Sequence, residues 1–139
     1  MTVLVDTNVI AAFVITSDIL HDKAVGLLDR LKSNEFGGLY ITDFVFDEVL
    51  TIIWTRTKRK DVVEKAFNLM NPITGIFQLI VTLESHLIPS FETWMRYAEY
   101  PKRPLSFTDA SLLTIAKDYK IDHIASFDVE FNGLISVLQ

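Results

Sequence analysis

The sequence predicts an α/β fold on three observations. Short runs of apolar, often β-branched residues alternate with amphipathic helical stretches, the strand candidates are continuously apolar rather than alternating, and aspartates stand directly after two of them. Continuous apolar strands imply burial on both faces, as in a parallel sheet covered by helices on each side. In such sheets ligands gather beyond the carboxyl ends of the strands, so residues just past each strand carry the search for function.

Val3 to Val5 is the first such run, a buried strand that ends at Asp6. Asn8 to Ile15 reads as a helix. Asp22 to Lys32 sets Ala24, Leu27, Leu28 and Leu31 at helical spacing and stops at Gly37-Gly38. Leu39 to Ile41 is the second strand, after which Thr42 or Asp43 can cap a long helix from about Phe44 to Lys58. Asp61 to Met70 continues as a helix with Val62, Val63, Ala66, Phe67 and Met70 on one side, ended by Asn71-Pro72. Phe77 to Val81 is a third strand, Leu87 to Tyr97 a helix, and Pro101 to Pro104 a loop. A last helix runs from Ser106 to about Lys120, followed by strands at Ile121 to Ala125 and Leu134 to Leu138.

A chain of 139 residues, 50% hydrophobic and 22% charged, is expected to form one domain over 1–139, and five Gly with four Pro are too few for a disordered or fibrous chain. The absence of Cys excludes disulfides, thiolate zinc sites and cysteine nucleophiles. The longest apolar run, Val9 to Ile15, is far short of the roughly 18 residues of a membrane span, and the opening residues lack the pattern of a signal peptide. Cytoplasmic location is the expectation. A formal charge of -5 argues against a general nucleic-acid coat protein without excluding a nuclease, whose basic residues need only cluster locally.

Asp6 and Asp128 follow the first and fourth strands, and each also reads as a turn or cap aspartate. Glu48 is more telling. It shares a helical stripe with Val45, Val49 and Ile52 and so points inward, whereas its neighbour Asp47 falls on a solvated face. Asp109 has Leu112, Leu113 and Ala116 on its stripe, and Ser106 three residues before it also makes it the acid of a capping box; both roles are compatible. Two carboxylates about 4 Å apart repel by about 4 kcal/mol at an effective dielectric near 20, so four inward acids call for a cation. With no Cys and only His21, His86 and His123, hard-oxygen ligation of Mg2+ or Mn2+ is favoured over zinc, and His123 reads as a packed residue rather than a ligand.

These residues resemble a known family. Val3 to Asn8, Glu48 in its helix, Leu105 to Ala110 and Ser126 to Phe131 look like the four acidic motifs of PIN-domain ribonucleases, and the size and order are most similar to VapC toxins of toxin-antitoxin pairs. The resemblance implies a PIN-like three-layer α/β/α fold with a central parallel sheet of four to five strands. It makes Asp6, Glu48, Asp109 and Asp128 the catalytic, metal-binding set for Mg2+ or Mn2+, with Asn8 and Ser126 as supporting hydrogen-bonding groups. Ser126 stands where the family often has Thr, and Glu130 is an alternative to Asp128 as the last acid. The implied reaction is hydrolysis of RNA phosphodiester bonds, leaving a 5′-phosphate and a 3′-hydroxyl without use of the 2′-hydroxyl. The implied partners are an RNA substrate, a second copy of the chain and a VapB-type antitoxin.

Two basic clusters are candidates for RNA phosphates: Arg56, Lys58, Arg59 and Lys60 after the Glu48 helix, and Lys102 with Arg103 in the loop before Asp109. Trp54 and Trp94 read as packing residues rather than base platforms, and Phe44, Phe46, Trp54 and Phe67 as subunit contacts. A haloacid-dehalogenase-like phosphatase would show Asp-x-Asp where this chain has Asp6-Thr7-Asn8, and a receiver domain would pair an acid near the first strand with a late lysine. The remaining rival is an inactive, metal-stabilised RNA-binding or scaffold protein of the same fold.

Overall fold

The computed structural model describes residues 1–33 and 35–139. Its elements run β1 (Thr2–Val5), α1 (Thr7–Val14), α2 (His21–Leu31), β2 (Gly38–Thr42), α3 (Asp43–Thr57), α4 (Lys60–Met70), β3 (Gln78–Ile80), α5 (Glu84–Tyr97), α6 (Phe107–Asp118), β4 (His123–Ala125), a 3-10 turn (Val129–Phe131) and β5 (Ser136–Leu138). All strand pairs are parallel, in the order β3-β2-β1-β4-β5. α1 packs against α2, α3 and α4, while α5 and α6 pack on each other, which gives the three-layer α/β/α arrangement. Among the described residues no helix is long and apolar enough to cross a membrane.

The sheet explains the apolar runs. Val3, Leu4 and Val5 of the central β1 are wholly buried, as are Ile41 and Val49 toward β2 and α3, Leu112 and Ile115 of α6, and Phe131 of the 3-10 turn. Successive strands add outward from β1 on one side to β3, and the chain then returns to lay β4 on the other side of β1. That reversal opens a crevice between the carboxyl ends of β1 and β4, where doubly wound sheets take their ligands. Val5 pairs with Ala125 in register, so Asp6 and Ser126 emerge side by side.

Local chemistry sets the helices that frame this crevice. The Thr42 hydroxyl accepts from the Val45 amide at 3.2 Å and caps α3. Asp43 instead accepts from both the amide and the hydroxyl of Thr82, at 2.8 and 2.6 Å, tying α3 to the segment after β3. α5 begins at Glu84, three residues before the start expected from its apolar pattern. The reason is an unusual cap: Nδ1 of the buried His86 accepts from the Leu83 amide at 3.0 Å, while its Nε2 faces Asp118 at 2.8 Å. Trp94 donates from Nε1 to the Leu105 carbonyl at 2.8 Å and meets Phe107 edge-on at 5.8 Å, which fixes the approach to α6. His123 bonds Ser136 and packs against Phe36, the structural role its strand position implied.

Candidate acidic metal centre

Asp6 leaves β1 in extended conformation and caps α1, its Oδ1 accepting from the Thr7 amide at 2.8 Å. Its own amide donates to the Ala125 carbonyl at 2.9 Å, welding it to the end of β4. Ser126 supplies the rest. Its hydroxyl donates to Asp6 Oδ2 at 2.7 Å and accepts from the Asp128 amide at 3.0 Å and from Asn8 Nδ2 at 3.3 Å. Asn8 Oδ1 in turn accepts from the Phe127 amide at 3.1 Å. One buried hydroxyl and one amide side chain thus lock the two strand ends together and aim both aspartates.

Asp109 arrives from α6 through the capping box with Ser106, each side chain bonding the other's amide at 3.0 Å. The cap and the inward placement coexist. Carboxylate oxygens of Asp6, Asp109 and Asp128 all lie within 4.8 Å of one another, although the three residues come from β1, α6 and the segment after β4. Glu48, half-buried on α3, stands outside this trio yet close enough for its charge to act on Asp109 and Asp128. Glu130 acts on the same two aspartates from the 3-10 turn, and its Oε2 is buried with no hydrogen-bond partner among the described residues.

Burial first, and then the neighbouring carboxylates, raise the pKa of Asp6, Asp109 and Asp128. Burial pushes Asp6 up to about 7, with Asp109 and Asp128 adding to it against the Ser126 and Thr7 hydrogen bonds. Burial also raises Asp109, offset by Ser106 and reinforced by Glu48 and Glu130. Asp128 is raised by burial first, then by Glu130 and Asp109. Among the described residues no Lys or Arg nitrogen comes within 4.0 Å of any of these carboxylates. Three convergent hard oxygen donors without a counter-charge, with the buried, unbonded Glu130 oxygen on a residue whose charge acts on two of them, fit a small divalent cation. Asp6, Asp109 and Asp128 are the residues that would hold such a cation, which would neutralise their shared charge. None of the three histidines belongs to the trio.

The predicted basic residues divide. Arg56 pairs with Asp18 at 2.9 Å and Arg59 with Asp61 at 2.6 Å; Lys58 is exposed at the far end of α3, about 15 Å along the helix from Glu48, and Lys60 is exposed at the start of α4. Arg103 donates to the Asn132 carbonyl at 3.0 Å, just past the 3-10 turn that carries Glu130, with Lys102 exposed beside it. A further cation went unseen in the sequence: Lys23 of α2 stands 5.6 Å from the centroid of Phe127, the residue before Asp128. A lone lysine on an exposed helix face carries no local signal of a contact made 104 positions later. Phe46 and Phe67 meet edge-on at 6.0 Å, with Phe67 and Trp54 still exposed, and Phe44 lines an open cleft of about 380 Å3 with Asp47, Glu48, Thr51, Ile52 and Thr108.

The comparisons with known proteins follow the same geometry. The PIN-domain family profile matches residues 3–134. A VapC ribonuclease of Archaeoglobus fulgidus is 24% identical over 132 residues, covering 95% of this chain and 80% of that protein. The crystal structure of Mycobacterium tuberculosis VapC20, described as a toxin that cleaves the sarcin-ricin loop, matches with a TM-score of 0.74 at 21% identity over 93% of this chain and 92% of that one. VapBC2 of Rickettsia felis, solved bound to a DNA fragment from its promoter, matches with a TM-score of 0.71 at 12% identity over 99% and 98%. A profile spanning nearly the whole chain, on a fold whose strand ends gather its acids, settles the assignment: the chain belongs to the PIN-domain family.

Proposed function

We propose that this protein is a divalent-metal-dependent ribonuclease of the VapC kind, the toxin of a toxin-antitoxin pair, acting in the cytoplasm. The observation that carries the reading is the convergence of Asp6, Asp109 and Asp128 within 4.8 Å, from three separate parts of the chain and, among the described residues, with no Lys or Arg nitrogen within 4.0 Å to neutralise them. Asp6, Glu48, Asp109 and Asp128 form the catalytic set, with Glu130 as a fifth acid, and they hold Mg2+ or Mn2+. When bound, such a cation supplies charge neutralisation and activates water for attack on the phosphodiester.

The chain's own residues do the positioning. Ser126 and Asn8 fix Asp6 and Asp128 through the bonds between the strand ends, and Ser106 fixes the rotamer of Asp109. Lys23, through its contact with Phe127, and Arg103 with its neighbour Lys102, through the bond to Asn132, meet RNA phosphates beside the acids in this reading; of the run Arg56, Lys58, Arg59 and Lys60, the exposed Lys58 and Lys60 extend that contact outward while Asp18 and Asp61 hold the two arginines. Incubating the protein with mixed RNA and Mn2+ is expected to give fragments with 5′-phosphate and 3′-hydroxyl ends, and EDTA to stop the reaction. Fragments ending in 2′,3′-cyclic phosphate would overturn this reading.

The protein also pairs with itself and with a VapB-type antitoxin in this proposal; several structurally similar chains were solved within toxin-antitoxin assemblies. Self-association is supported by α5, which leaves Leu87, Ile88, Phe91 and Met95 between 42% and 71% exposed along one stripe. A single-chain mass by light scattering would rule the dimer out.

A further inference from the structure

We propose that the cleft beside Glu48 is a base-recognition subsite that takes an unpaired guanine of the RNA, with Asp47 as its specificity-determining residue; this rests on the ribonuclease reading above. At about 380 Å3 the cleft is small among ligand pockets, which run from about 300 to 1,000 Å3, and suits one splayed-out base rather than a duplex. Phe44, Asp47, Glu48, Thr51 and Ile52 recur at helical spacing and form one wall from a single face of α3; Thr108 of α6 is the other side. The cleft adjoins the acids by construction, because Glu48 lines it and Thr108 is the residue before Asp109. A phosphate held at the acids therefore delivers its neighbouring base here.

The lining selects which base. Phe44 and Ile52 offer an apolar and aromatic face, against which any base can lie. Asp47 is an exposed carboxylate with no Lys or Arg nitrogen within 4.0 Å among the described residues, so it is free to accept from a ligand. A carboxylate only accepts hydrogen bonds. Guanine alone presents two adjacent donors, N1-H and N2-H, that match its two oxygens. Adenine and cytosine set one amino donor beside a ring nitrogen that the carboxylate repels, and uracil flanks its single N-H with carbonyls. The acidic lining also disfavours a backbone phosphate inside the cleft, leaving a base edge as the group that fits.

Uridine oligonucleotides carrying a single G, A or C separate the possibilities. Wild-type protein with Mn2+ is expected to cleave next to G about tenfold more efficiently than next to the others, within the range for one bidentate base contact. Asp47→Asn should remove that preference, bringing cleavage next to G down to the level of the other bases. A second arm without cleavage measures binding of GMP, AMP, CMP and UMP to wild type in EDTA by NMR shifts of Phe44, Thr51 and Thr108. GMP should bind tightest, and Asp47→Asn should abolish its advantage. Equal handling of the four bases in both arms, or a guanine preference surviving in Asp47→Asn, overturns the subsite. Failure of wild type to cleave any RNA sinks the ribonuclease reading instead, and the GMP arm still decides the cleft.

Discussion

Asp109→Asn is expected to reduce metal-dependent RNA cleavage by more than about a hundredfold while leaving the metal-free melting temperature at or above that of wild type. Loss of an outer partner to a metal ligand costs about 10–100-fold, so loss of a ligand itself exceeds that. The stability argument runs the other way. An amide oxygen at position 109 still accepts from the Ser106 amide, so the capping box, worth about 1 kcal/mol, survives. One negative charge disappears from a group in which Asp109 bears on Asp6 and Asp128 and is itself acted on by Glu48 and Glu130. Gel cleavage with Mn2+ and thermal melting in chelator check the two halves. The contrasting variant Ser106→Ala should lose about 1 kcal/mol of stability but keep the carboxylate and most of the activity. A sharply destabilised Asp109→Asn that still cleaves RNA would reduce this residue to a helix cap.

Much of this centre was legible before any coordinates. The strand ends after Val5 and Ala125, the inward stripe of Glu48 and the Ser106-Asp109 box are local patterns, and local patterns survive folding when they agree with the burial they imply. Asp109 shows why both readings of one residue can hold: capping uses one face of the carboxylate and leaves lone pairs for the crevice. What escaped depends on distant partners. Arg56 counts as a free cation in a basic run until Asp18, 38 positions earlier, is found 2.9 Å away. His86 caps α5 without the hydroxyl or carboxyl that marks most caps in a sequence, and the buried, unbonded oxygen of Glu130, beside the wholly buried Phe131, depends on packing that no local pattern announces. Asp47 read as solvated, and it is exposed; that it faces a cleft shared with Thr108 required the packing of α3 beside the start of α6.

Metal-free protein is expected to become less stable as pH rises from about 4 to 7. Asp6 ionises near 3.8 in the unfolded chain and at about 7 in the fold, where burial opposes its charge. Below 3.8 both states hold the proton and the site imposes no cost. Between the two values the unfolded chain has released it and the folded chain has not, so each pH unit favours unfolding by about 1.4 kcal/mol, about 4 kcal/mol in all. Asp109 and Asp128, also raised, act in the same direction. Asp18 and Asp122, held below the ordinary range by the amides of Leu20 and Thr2, act oppositely, but their contribution is lost only as pH falls further. On the proposed function a divalent cation is expected to reverse the trend: the ionised acids would hold it in place of their protons, and it would stabilise the fold more at pH 7 than at pH 5. Asp6→Asn should flatten the metal-free profile because it removes the titrating group; its Oδ1 still accepts from the Thr7 amide, although the Ser126 hydroxyl loses its acceptor, and the gain from Mn2+ should be blunted. Urea denaturation in EDTA and in Mn2+ across this range reads all of these. Stability that rises from pH 4 to 7 without metal, or a wild-type slope retained in Asp6→Asn, would mean that the buried aspartate carries its charge comfortably and that no cation is needed to hold it there.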